Sequence, residues 1–435
     1  DGSCIIVVNG CTDSNACNYD ATANTNDGSC TYAVTSTTSI TICDSSYTWP
    51  LNGQTYNSSG TYTHFGISPT LTDSNYVGNF GSARGVSVSG NYAYVASGIV
   101  GLKIYDISDP SSLTWVGTYE APNTNYHDYA RDVTVSGNYA YVAYDTLGLQ
   151  IIDISNPASP DSIGGYNTTG SSKDVRVSGN YAYVADWNSG LQIIDISDPF
   201  MPTLTATYNT PGLALSVSIN GNYAYVADES YGLQIIDISD PFLPTLTATY
   251  NTLATPKDVT VSGNYAYVVV GASLMIINIA NPSSPALTGT YITADYTQAV
   301  SVSGSYAYVA DFTSGLQIID ISNPASPTLT GNYNTSGSAK DVSISGNYAY
   351  VADGDDGLQI ISIVCTLDSL ILSIGISGCT DSTACNYDST ATCDFGCLTV
   401  YGCIDSTAFN YNPSATCNDG SCIIVVNGCT DSNAC

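Results

Sequence analysis

The chain has 435 residues, 43% of them apolar and 35 of them tyrosine, which suits a sizeable folded core and excludes a disordered polymer. Seven Lys and Arg against 37 Asp and Glu leave a formal charge of -30, so nucleic acid and anionic lipid surfaces are repelled and excluded as partners. No hydrophobic run approaches the roughly 18 to 20 residues that span a bilayer, and no basic-then-apolar signal opens the sequence, so any export signal or anchor is expected outside it.

Residues 1–17 read DGSCIIVVNGCTDSNAC, and residues 419–435 repeat those seventeen letters. The sequence therefore restarts with a period of 418 residues, the spacing of positions 1 and 419. Residues 1–10 read as the end of a preceding unit and residues 423–435 as the start of the next, in a continuing array that is either covalent or assembled.

The 15 cysteines crowd into the two ends, with none between Cys43 and Cys365. Dense cysteines in small, loop-rich segments indicate disulfides and an oxidising compartment, so the expected location is extracellular or at the cell surface.

Three short modules carry most of these cysteines: residues 11–30 (CTDSNACNYDATANTNDGSC), 378–397 (GCTDSTACNYDSTATCDFGC) and 398–422, which contains GCIDSTAFNYNPSATCNDGSC. They resemble the Cys-x-Asp, Asn-Tyr, Asp-Gly-Ser-Cys repeats of bacterial surface proteins. At about 20 residues each they are too small for a self-sufficient core and need cross-links. The outer cysteines suggest the pairs Cys11 with Cys30, Cys379 with Cys397 and Cys403 with Cys422, leaving Cys385 with Cys393. Cys17 in the first module has no counterpart in the third, which carries Phe409 there, and Cys417 in the third faces Thr25 in the first. Cys417 is therefore expected to pair with Cys435, the next copy of Cys17, across the joint between units. Cys4, Cys17 and Cys429 then find partners in neighbouring units. Spacing alone does not fix this connectivity.

Asp13, Asn18, Asp20 and Asp27 offer oxygen ligands of the kind Ca2+ takes. The full spacing of a calcium loop is missing, and turn-forming Asp and Asn account for the same residues.

Residues 31–66 and 363–377 read as a small β collar. CDSSYTWPLNGQTYNSSGTYTH at residues 43–64 and CTLDSLILSI at 365–374 resemble the start and finish of a β-sandwich repeat of bacterial secreted proteins, interrupted by the intervening domain. The resemblance implies a disulfide between Cys43 and Cys365.

Residues 67–362 hold one pattern seven times: VSVSG, YAYVA, GLQIIDIS, then TLTATY. The GNYAYV core begins at Gly90, Gly137, Gly179, Gly221, Gly263, Gly304 and Gly346, so the period is close to 42. Four strand-like segments per period match propeller blades rather than helical solenoids. Alternation places Tyr92 and Tyr94 on one face and Val95 on the other, so both faces of each sheet must be covered. The seventh repeat lacks its last strand, while an orphan PTLTDSNY segment stands at residues 69–76. The expected fold is all-β, a seven-bladed β-propeller closed by this N-terminal strand. The repeats resemble the LVIVD-type repeats of bacterial secreted and surface propellers, a resemblance that implies the fold and leaves the function open.

Arg84, Arg131, Lys173, Lys257 and Lys340 occupy one position before the inner strand in five repeats, and Asp132, Asp174, Asp258 and Asp341 follow in four. They are expected to form a ring of alternating charge at a channel mouth, with inter-blade ion pairing or ligand binding as its role. Leu215 and Gln298 interrupt it.

The two histidines, His64 and His127, lie in no nucleophile or metal-ligand motif, and no phosphate-binding glycine loop is present. An enzyme is not expected. The readings that remain are a structural unit of an extracellular fibre, stalk or surface layer, partnered head-to-tail with itself, and an adhesin whose propeller binds a glycan or a protein. In the second, variable loops such as residues 123–127 would carry specificity.

Overall fold

The computed structural model describes residues 9–13, 16, 24–26, 30, 33–42, 46–49, 54–75, 81–120, 128–374, 377–394 and 396–423. Their contacts divide the chain into two compact units, residues 1–34 with 66–365 and residues 35–65 with 366–435.

The first unit contains seven antiparallel four-stranded sheets. In the first blade the strands run Gly85–Ser89, Tyr92–Ala96, Leu102–Asp106 and Thr114–Tyr119. Gly90 opens the tight turn between the first two with φ +57°, and the six equivalent glycines share that left-handed conformation, which a side chain would disfavour. The other blades repeat this order, except that the seventh takes its fourth strand from the N-terminal side. Thr70–Asn75 pairs with Leu358–Ser362, matching Leu71 with Ile361.

Packing follows the two-residue alternation. Tyr94, Ala96 and Ile104 of the first blade face the second blade, sharing a core with Ala140, Val142 and Ile152. Ala93, Val95 and Tyr105 face the other way, onto Tyr350, Ala352 and Ile360 of the seventh. Every neighbouring pair of blades shares such a cluster, so each sheet is covered on both faces by its neighbours. The first strands of successive blades touch in turn, and that of the seventh touches that of the first.

In the second unit Cys365–Ile374 lies between Val34–Ile42 and Gly60–Ile67, so segments on either side of the propeller sequence meet in one sheet. Trp49, Leu370 and Leu372 form its core, and the rings of Tyr56 and Tyr62 stack with centroids 3.9 Å apart.

The three modules share one plan. Asn9–Gly10 pairs with Thr25–Asn26, Ser377–Gly378 with Cys393–Asp394, and Tyr401–Gly402 with Cys417–Asn418, all in parallel. Thr25, Cys393 and Cys417 are therefore structural equivalents. Disulfides close each module at Cys11–Cys30, Cys379–Cys397 and Cys403–Cys422, with Cα separations of 4.7 to 4.8 Å.

The remaining bridge differs from the expectation. Cys385 pairs with Cys417, not with Cys393, so Cys417 is not held for Cys435. The connecting residues explain this. Cys385 N donates to Leu398 O at 3.2 Å and Cys417 N to Val400 O at 2.9 Å, so both cysteines line the segment joining the second and third modules. Cys4, Cys17, Cys43, Cys429 and Cys435 lie outside the described residues, and with them the partner expected for Cys365.

Candidate functional site

The first strand of each blade lines the channel, so one of its edges has no neighbouring strand and its N–H groups need other acceptors. The residue at the strand's start supplies one to the next blade. Asp341 Oδ2 accepts from Val86 N at 2.7 Å, Asp132 Oδ2 from Val175 N at 3.3 Å, Asp174 Oδ2 from Val217 N at 2.8 Å and Asp258 Oδ2 from Val300 N at 2.8 Å. Ser216 Oγ receives Val259 N in the same way at 3.4 Å. These carboxylates link blades through the backbone, and Asp132 does so through an ion pair as well.

Their charge is partly balanced by a residue that sequence reasoning missed. Arg176 Nη1 lies 2.7 Å from both Asp132 and Asp174. It replaces the Ser or Thr found at this inner-strand position in the other blades, and that departure from the repeat was its only signal. Burial opposes ionisation of Asp132, but the Arg176 charge and hydrogen bonds outweigh it and hold the carboxyl below the usual range. For Asp174, burial prevails and the nearby Asp132 adds to it, pushing the carboxyl well up. Burial and the Asp132 charge raise Asp341 to about 7.

At the mouth stand Arg84, Arg131, Lys173, Lys257 and Lys340, with Leu215 and Gln298 at the two interruptions. Together with the carboxylate layer they line a cavity of about 110 Å3. The ion pairs differ from the expected alternation of these cations with the aspartates that follow them. Arg131 and Lys173 converge on Asp145 instead, at 2.7 and 2.8 Å. Among the described residues Arg84, Lys257 and Lys340 have no ion pair, and Arg84 Nε is buried without a hydrogen-bond acceptor.

Aromatic side chains stand against Arg84 and Lys340 instead. Tyr129 lies between Arg84 and Arg131, with the guanidinium carbons 4.9 and 5.2 Å from its ring centre. Lys340 Nζ is 4.2 Å from the ring of Phe312, and Lys173 Nζ is 5.4 Å from that of Trp187. Burial lowers the pKa values of Arg84, Lys173 and Lys340, and the like charge of Arg131 (on Arg84 and Lys173) or Arg84 (on Lys340) adds to it.

The loops are held from below. Asp186 and Asp353 are fully buried, and each accepts a threonine hydroxyl at 2.6 Å (Thr168, Thr335) and a glycine N–H at 2.8 Å (Gly170, Gly337). This fixes the connections that lead into Lys173 and Lys340. Burial raises the pKa of both carboxyls.

The residues suggested for calcium do not form a described site. Among the described residues no group of His, Cys, Asp and Glu could hold a metal ion. Asn18, Asp20 and Asp27 lie outside them, as does the loop at residues 123–127. Asp381 and Asp405, the counterparts of Asp13, accept N–H and hydroxyl hydrogen bonds from Thr383 and Thr407 at 2.6 to 2.8 Å, as turn-forming residues do.

A family model described as LVIVD repeat matches residues 80–121, 128–168, 169–210, 211–252, 255–293, 294–335 and 336–369. The chain belongs to the LVIVD repeat family. Its repeats coincide with the blades, the last ending where Thr70–Asn75 completes the sheet. No curated protein matches the chain. Among solved structures the LVIVD chain is similar to the computationally designed Ika8 protein, with a TM-score of 0.52 at 8% identity, covering 66% of this chain and 98% of that one. At that identity the likeness concerns the fold alone.

Proposed function

We propose that the chain is a non-enzymatic structural unit of an extracellular fibre, stalk or surface layer, joined head-to-tail with copies of itself. The recurrence of residues 1–17 at 419–435 carries this reading, because it places a new first module directly after the third. The bridge between Cys385 and Cys417 supports it, since consecutive modules are tied to each other as well as closed within themselves. At the joint between units, Phe409 and the next copy of Thr25 would occupy the equivalents of Cys385 and Cys417. That joint is then a hinge without this cross-link, between stiffer segments. The four disulfides among the described residues fit an oxidising compartment, and no helix among those residues is long and apolar enough to cross a membrane.

Electron microscopy of native material is expected to show a filament or layer with one regular repeat. Dispersed particles that do not associate would end the proposal. A binding role for the propeller is the second reading, favoured by the cations at the channel mouth.

A further inference from the structure

We infer that the channel mouth is a binding site for an acidic saccharide, whose carboxylate or sulfate sits among the mouth cations while a sugar ring stacks on the aromatic rim.

The distribution of charge is the first support. The chain has seven Lys and Arg, and six of them, all but Lys103, line this one cavity. In a chain of formal charge -30, dispersed ion pairing would spread them over the surface. Here Arg84, Lys257 and Lys340 stand without carboxylate partners among the described residues, and Arg84 Nε is buried with nothing to donate to. Partly buried cations that repel one another gain from an anion placed between them. Asp132, Asp174, Asp258 and Asp341 line the same cavity, but they accept from Arg176 or from backbone N–H groups of the next blade, so the anion's place is among the cations that have no such partner.

The second support is backbone strain. Gly98 and Gly354 occupy one loop position beside the mouth, with φ of 57° and 60°. At the same position Trp187 and Phe312 take φ of 49° and 46°. A residue with a side chain is strained in this conformation, which glycine adopts freely. Glu229 stands at this position in the fourth blade with φ of 23°, so three blades carry a side chain there, and in two of them it is an aromatic ring beside a lysine. Trp187 remains 40% exposed and Tyr296, the counterpart of Tyr129, 67% exposed, leaving flat faces for the C–H groups of a sugar. The cavity of about 110 Å3 accepts an acidic group and not a whole sugar, so the ring stays at the rim.

The inference stands apart from the fibre reading, since a filament can form whether or not its propellers bind a ligand. Calorimetry on the full chain at 150 mM NaCl tests it with an oligogalacturonate hexamer, its neutral methyl ester and inorganic sulfate. The hexamer is expected to bind, the ester about tenfold or more weakly, and Arg84→Gln or Lys340→Gln to weaken the hexamer by about tenfold. Trp187→Gly should weaken binding while leaving the melting temperature equal or higher, which separates ligand stacking from a merely structural ring. Equal binding of hexamer and ester, unchanged binding in both charge variants, or no binding of the hexamer would each overturn the inference. Sulfate binding as tightly as the hexamer would overturn its saccharide part.

Discussion

Asp341 of the seventh blade accepts the backbone N–H of Val86 in the first, 2.7 Å away in space and 255 residues away in sequence. The contact joins the two ends of the propeller through a carboxyl that is crowded by Asp132 and Asp258.

Burial, and that crowding after it, make stability depend on pH. The carboxyl of Asp341 is pushed up to about 7 in the folded chain, above its ordinary value of 3.8. Between those values the folded state binds more protons than the unfolded one, so this contribution is complete below about pH 4 and lost as pH rises through 7. Thermal melts from pH 4 to 8.5 should show a melting temperature that declines up to about pH 7 and levels off above it. Asp341→Asn keeps an oxygen for Val86 and should flatten the decline; an unchanged profile would count against the assignment.

Arg176 holds Asp132 and Asp174 together in the channel. Arg176→Ala leaves these carboxylates without their cation and is expected to destabilise the chain by about 1–3 kcal/mol, at the low end for a buried pair because channel water still reaches the guanidinium. Denaturant unfolding measures the loss. Adding Asp174→Asn should recover part of it, whereas simple loss of packing would leave the second change without benefit.

The bridge from Cys385 to Cys417 spans 32 residues and joins two modules. Peptide mapping without reduction should recover these two cysteines in one linked fragment. Recovery of Cys385 linked to Cys393 would refute the connectivity. The double variant Cys385→Ser/Cys417→Ser is expected to lower module stability by about 2–4 kcal/mol and to leave the propeller transition in place.

Removal of residues 67–75 takes away Thr70–Asn75 and bares the edge of Leu358–Ser362. An open apolar strand edge recruits other chains. Light scattering should find association in the truncated chain under conditions where the intact one is dispersed, and equal behaviour would show the strand to be dispensable.

Much of this was legible in the letters. The repeated GNYAYV and GLQIIDIS segments announce strands and their turns, and the orphan segment at residues 69–76 announces the strand missing from the seventh blade. The cations of the mouth were legible as a column in the repeat. Their partners were not, because Asp145 opens a short 3-10 turn and Arg176 sits within a strand, at positions where the repeat carries other residues. The cysteine of the second module misled for a related reason: Cys393 is the nearer partner of Cys385 along the chain, and only the packing of the connecting segment brings Cys417 to it.

By itself the sequence determined the all-β class, the number of blades, the cysteine-rich ends and the period that returns residue 419 to residue 1, since each is a statement about repetition along one chain. The tertiary structure alone decided which aspartate serves which neighbour, which cations lack a carboxylate and which modules are tied together. Those outcomes depend on distances between segments far apart in sequence, and curvature of the ring and packing of the connections set those distances.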